Sequence, residues 1–255
     1  MTESHSPLAS LLELSHHLGN PQNEYILLGE GNTSTRIDAD TFWVKASGSE
    51  LRTIDENGFV KVRFDRCLGV LEGRDLSDEE VKQALEAARD DPLSSRRPSV
   101  ETFLHALALQ LPGVNFVGHT HPIAVNAILC SKYAEQAVSG RLFPDEIVVC
   151  GPTPVFVPYV DPGLPLARAV NRAIQDHIND YAQTPKVILM QNHGFIALGK
   201  SAQEVENITA MLVKTARILL GTYSLGGPNF LTPENVERIH KRPDELFRRK
   251  VLGAG

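Results

Sequence analysis

The phrases Gly118-His119-Thr120-His121-Pro122 and Gln191-Asn192-His193-Gly194 place three imidazoles where apolar, β-type runs reach turns. A neutral imidazole offers a lone pair to a divalent cation. Three protein ligands with an open fourth position describe a catalytic metal site. His119 and His121 are two residues apart, so on an extended strand both rings project to one side and can hold one ion. A third ligand can come from far along the chain. The run Val187-Ile188-Leu189-Met190 leads into His193, and Gly194 leaves the backbone free to turn beside it. A histidine pair alone is equally consistent with satisfied surface or core histidines. The shared context, a β-type run ending at a turn, is what favours a site.

The elements that must position these residues follow from periodicity and punctuation. Ser6-Pro7 caps a first helix that ends at Gly19. Arg36-Ile37-Asp38 and Thr41-Phe42-Trp43-Val44-Lys45 form a hairpin turning at Asp38 to Asp40. Ser77-Asp78-Glu79-Glu80 is a capping box opening a helix to about Arg89. A second, apolar and therefore buried helix opens at Pro98-Ser99-Val100-Glu101 and ends at Pro112-Gly113. Residues 114–119 form the strand that carries His119, and Pro122 starts a short helix to about Leu129. Residues 146–150 and 155–157 read as short strands, and residues 163–181 as a long amphipathic helix. Residues 187–190 and 195–198 pair around the Asn192-His193-Gly194 turn, followed by a helix over 202–220 and a charged helical tail from Thr232. This alternation describes an α/β sandwich with helices outside one sheet. The 255 residues fit a single domain, 1–255, with a helical C-terminal extension from about residue 225.

Glu101 falls in the first turn of a buried helix. A carboxylate there is costly unless a cation or backbone donors hold it. It could equally be a capping residue reaching back to Ser99. His105 shares its face and reads as a hydrogen-bonded residue behind the ligands. Two segments rich in small residues, Gly29-Glu30-Gly31-Asn32-Thr33-Ser34-Thr35 and Lys45-Ala46-Ser47-Gly48-Ser49, can converge backbone N–H groups on an anion, with Asn32 and Thr33 adding side-chain donors. The first precedes a strand rather than a helix, which excludes a Rossmann fingerprint or a Walker loop. With Ser99 at a helix start they make a phosphate or carboxylate pocket, with Lys45 as a cationic contact.

A net charge of −6 excludes nonspecific nucleic-acid binding and leaves small molecules as partners. No apolar run approaches the roughly 18 residues that cross a bilayer, and the N-terminal stretch lacks the pattern of a signal peptide, so a cytoplasmic protein with no membrane partner is expected. Cys67, Cys130 and Cys150 are widely spaced in or beside apolar runs and read as reduced core residues.

Taken in order, Gly31-Asn32-Thr33-Ser34, Ala46-Ser47-Gly48, Arg97-Pro98-Ser99-Val100-Glu101, His119-Thr120-His121-Pro122 and Asn192-His193-Gly194 resemble the class II aldolase/adducin family, which includes L-fuculose-phosphate aldolase. The resemblance spans roughly residues 8–220. It implies a three-layer α/β/α sandwich with a central mixed, largely antiparallel sheet. It also implies a divalent metal on His119, His121 and His193, usually Zn2+, with Mn2+ or Fe2+ compatible with the same donors. Glu101 takes the place of the acid that ligates the empty metal and acts as catalytic base. Phosphate contacts carry over to Asn32, Ser47, Gly48 and Ser99. The activity implied is aldolase cleavage of a ketose, a sugar phosphate, through a metal-stabilised enediolate. The alternatives are a decarboxylase, an epimerase, or a non-catalytic adducin-like protein. The epimerase branch carries aspartate where Glu101 stands, and an adducin-like chain would be expected to lose the ligands that are present here. Val100 stands where fuculose-type aldolases have a second serine, and residues 140–144 lack the tyrosine that serves those enzymes as general acid. Homotetramers with the site between subunits are a further implication.

Overall fold

The computed structural model describes residues 6–251, without the side chains of residues 246, 249 and 250. In chain order the elements are α1 (Pro7–Leu18), β1 (Asn32–Arg36), β2 (Thr41–Lys45), β3 (Phe59–Arg63), α2 (Phe64–Glu72), α3 (Asp78–Ala87), α4 (Thr102–Leu109), β4 (Phe116–Thr120) and α5 (Ile123–Leu129). They continue with α6 (Ala134–Ala137), α7 (Pro144–Cys150), β5 (Val155–Val157), α8 (Leu164–Tyr181), β6 (Val187–Met190), β7 (Gly194–Gly199), α9 (Ala202–Tyr223), α10 (Pro233–Lys241) and α11 (Pro243–Val251). The helix starts obey local chemistry. The Ser6 hydroxyl accepts from the Ala9 amide, and Ser77 and Glu80 form the reciprocal capping box.

The seven strands lie in the order β3-β2-β1-β4-β7-β6-β5, antiparallel except for β5 against β6. This is the expected mixed, largely antiparallel sheet. Alternate side chains feed two cores. Ile188, Met190, Ile196 and Leu198 pack towards α4 and α8, whereas Val187, Leu189, Phe195 and Ala197 pack towards α9. Helices α2, α4 and α8 pack together in one outer layer, and α1, α5 and α7 gather on α9 in the other. At ~25 cal/mol per Å2 of buried apolar surface, these two faces dominate the stabilisation. No described helix is long and apolar enough to cross a membrane.

Several local expectations change. Residues 146–150 belong to α7, a helix with Pro144 in its first turn. Every residue from Glu146 to Cys150 is buried, so hydrophobic periodicity could not separate helix from strand. Strand β3 runs directly into α2 with no glycine or proline between them, which hid both elements from pattern reading. Strand β1 begins at Asn32, so the segment read as an anion loop is half strand. Thr33 faces away from the site, with its hydroxyl 2.6 Å from that of Ser15 on α1. Cys67 and Cys150 are core residues whose thiols burial pushes up to about 12. Cys130, at the end of α5, is exposed instead.

Candidate metal centre

Strand direction brings the functional residues to one end of the sheet. Asn32 opens β1 and pairs with His119 near the end of antiparallel β4. His193 sits in the turn between β6 and β7, and Glu101 caps the start of α4. His121 lies one residue beyond β4, where its amide donates to the Tyr25 carbonyl. Asn192 takes the left-handed turn conformation at φ 55°. Gly194 has a different role from the one expected. A Cβ there would come within 2.6 Å of both His121 Cδ2 and the Thr120 carbonyl, so glycine permits close approach rather than the turn itself. Gly31 combines both demands, with φ 71° and the His119 carbonyl 2.8 Å from where a Cβ would stand.

One ring nitrogen from each of His119, His121 and His193 lies within 4.8 Å of the others. His119 Nδ1 donates to the Phe195 carbonyl at 2.9 Å, which turns Nε2 toward the cluster, where it can hold a proton or a cation. His121 Nε2 lies 2.8 Å from that atom. Burial, aided by its histidine neighbours, depresses His121 to about 3, so it is neutral and can act as a ligand. Glu101 Oε1 stands 3.3 Å from His119 Nε2 and 3.1 Å from His193 Nε2. Burial favours the protonated acid, but His119 and His193 outweigh it and hold Glu101 well below the usual carboxylate range. Burial likewise opposes charge on His119, and Glu101 with the Phe195 carbonyl overcomes it, raising that histidine. Three imidazoles and an anionic carboxylate converging in a largely buried pocket fit a divalent cation.

Around this core, Asn32 Nδ2 donates to Glu101 Oε2 at 2.6 Å and to Ser99 Oγ at 3.0 Å. Ser99 Oγ therefore accepts, and its own proton is free for a ligand. No described residue partners the Ser47 hydroxyl or the Gly48 amide, and Gly48 adopts φ 81°. Lys45 Nζ donates to the carbonyls of Gly29 and Gly31, bracing the turn before β1. One N–H and its positive charge remain to act on the site. Val100 is exposed and borders a cavity of about 480 Å3 that Ser47 and Arg97 also line.

Sequence reasoning missed three supporting groups. Glu30 Oε2 lies 3.7 Å from His121 Nδ1 and accepts from the Leu27 amide. Asn126 donates to the His193 carbonyl at 3.0 Å. The third is the Phe195 carbonyl. Glu30 lies in the small-residue segment 29–35, whereas a backbone carbonyl leaves no residue-type signal.

Fold and donor set together define an α/β protein with a three-histidine cluster, able to hold a metal, at the end of its sheet. The chain belongs to the family described as Class II Aldolase and Adducin N-terminal domain, which it matches over residues 9–220. That family is divalent-metal dependent. Among its relatives, an uncharacterized oxidoreductase of Bacillus subtilis, YuxG, is 30% identical over 196 residues, covering 74% of this chain but only 26% of that protein. A methylthioribulose-1-phosphate dehydratase of Microcystis aeruginosa is 26% identical, covering 76% of this chain and 86% of its own. A 3-oxo-tetronate 4-phosphate decarboxylase of Escherichia coli is 29% identical over 60% of this chain and 66% of its own. The solved class II aldolase domain from Thermoplasma acidophilum superposes with a TM-score of 0.67 at 28% identity, covering 86% of this chain and 96% of that one. An L-fuculose 1-phosphate aldolase shares the fold, with a TM-score of 0.69 at 17% identity, covering 96% and 97% of the two chains.

Proposed function

We propose that the chain is a metal-dependent aldolase that cleaves a carbon–carbon bond beside the ketone of a small ketose with an anionic end, a sugar phosphate. The convergence of His119, His121 and His193 on an anionic Glu101 carries this reading. A divalent cation on the three histidines, zinc first among those suited to imidazole, would supply Lewis-acid stabilisation of the negative charge that cleavage leaves on the ketone oxygen. Glu101 takes the proton of the β-hydroxyl in cleavage, or the carbon-bound proton in the synthetic direction. Asn32 keeps that carboxylate aimed by holding Oε2. The free proton of Ser99, the Ser47 hydroxyl and the Gly48 amide receive the anionic end, with the Lys45 charge behind them. A homotetramer and a cytoplasmic setting accompany this reading.

A second reading, decarboxylation of a β-keto acid phosphate, draws support from the Escherichia coli relative named for that activity. Loss of CO2 leaves the same enolate charge and needs no base to start, so Glu101 would serve in proton delivery alone. Two measurements test the proposal. His119→Ala should abolish stoichiometric binding of zinc or manganese, and unchanged metal content would sink the metal centre. Metal-loaded protein is then offered ketose phosphates, free ketoses and β-keto acid phosphates. An aldehyde product is expected, and CO2 without an aldehyde would establish the second reading.

A further inference from the structure

His105 is fully buried on α4, and its Nδ1 lies 2.7 Å from Ser34 Oγ on β1. No step above uses it. Burial pushes it down to about 3, so it adds no charge beneath the site. Its place becomes meaningful beside the Asn32 contact. Asn32 and Ser34 are two residues apart on one face of β1, a spacing of about 6.6 Å. Glu101 and His105 are four apart along the start of α4, a spacing of about 6 Å. Strand and helix thus run side by side in matched register, linked once at Asn32 to Glu101 and again at Ser34 to His105. The same strand pairs Asn32 with His119 and Ser34 with Val117. Packing against α2 and α8 holds α4 as a body, and the two links fix the height of its first turn along β1. Two links set how far the Glu101 carboxylate stands from His119 and His193.

We infer that the Ser34–His105 hydrogen bond is the second pin of a two-point clamp between β1 and α4, which makes His105 a positioning residue for Glu101. This inference rests on the metal reading above. His105 supplies depth along the strand rather than charge. A polar atom at the Nδ1 position is therefore required, and the rest of the ring is not.

The test combines cobalt(II) binding, followed by its visible absorption, with amide hydrogen exchange of the metal-free protein. Ser34→Ala and His105→Phe should each weaken cobalt binding about tenfold, the scale of losses from groups that support ligands. They should also change the absorption band and speed exchange in the first turn of α4. His105→Asn, which keeps a polar atom near Nδ1, should restore both readouts. Unchanged affinity and spectrum in Ser34→Ala and His105→Phe would overturn the clamp, as would faster exchange with an unchanged spectrum. An asparagine variant as weak as the phenylalanine one would do the same. If His105→Phe does not fold, Ser34→Ala removes the same bond and decides the matter. Absence of cobalt uptake by the wild type would sink the metal reading instead, and unchanged exchange rates in Ser34→Ala would then overturn the clamp separately.

Discussion

The Arg141 and His119 clusters differ in what they leave unsatisfied. At Arg141 and Glu146 the opposite charges pair with each other, and Arg141 Nη2 is the one polar atom of the pair left without a partner among the described residues. Arg141 Nη1 donates to Glu146 at 3.1 Å, its Nε donates to the Gly151 carbonyl, and Glu146 also accepts from the Leu142 amide. Both side chains are almost wholly buried. That cluster ties the start of α7 to the turns on either side of it. At His119, His121, His193 and Glu101 the lone pairs outnumber the protons offered to them, and they converge on one point. Buried charge alone does not mark a functional site. A surplus of aimed acceptors does, because only a cation or a proton from outside the fold can satisfy it.

The sharpest way to break this contrast is Glu101→Gln. The neutral isostere keeps the shape and the Asn32 contact but cannot take a proton. Turnover should fall by roughly 10²–10⁴, the range for loss of a general base, while the melting temperature stays near that of the wild type. A variant with unimpaired turnover would remove Glu101 from the chemistry. The mirror experiment is Arg141→Met, which strands Glu146 as an unpaired buried charge. Denaturant unfolding should show a loss of about 3–5 kcal/mol, with metal stoichiometry unchanged in the protein that remains folded. A loss of metal there would erase the distinction between the clusters. Gly194→Ala lies between the two. Its methyl must displace His121 or the Thr120 carbonyl, so stability should drop by about 1–3 kcal/mol and metal affinity should fall with it. A stable variant with normal metal binding would show that the approach of β7 to His121 is looser than its geometry implies.

Much of the site was legible because residue type and spacing carry it. The histidine phrases, Glu101 after Ser99, and the small residues at Ser47-Gly48 are local patterns, and so were the capped helices α1 and α3. The misreadings have a common physical source. In α7 and in the β3-to-α2 junction, burial on every side or the lack of a break residue removes the period that distinguishes helix from strand. Thr33 was misplaced because residues 29–35 read as a loop, whereas β1 begins at Asn32 and strand alternation turns Thr33 to the face opposite Asn32. Cys130 was misplaced because an apolar neighbourhood in sequence does not say which residue closes a helix at the surface.

The sequence by itself determined the donor set, the alternation of helices and strands, and the acidic character of the chain. These are properties of residue type at short range. Only the tertiary structure decided that β1 and β4 run antiparallel with Asn32 opposite His119. Only it decided that α4 lies in register with β1, and that Phe195 and Glu30 support the imidazoles. Those relations join residues more than sixty positions apart, through backbone atoms and strand order. Composition and periodicity carry no information about such pairings, because many registers bury the same apolar area and one alone brings three lone pairs and a carboxylate to a single point.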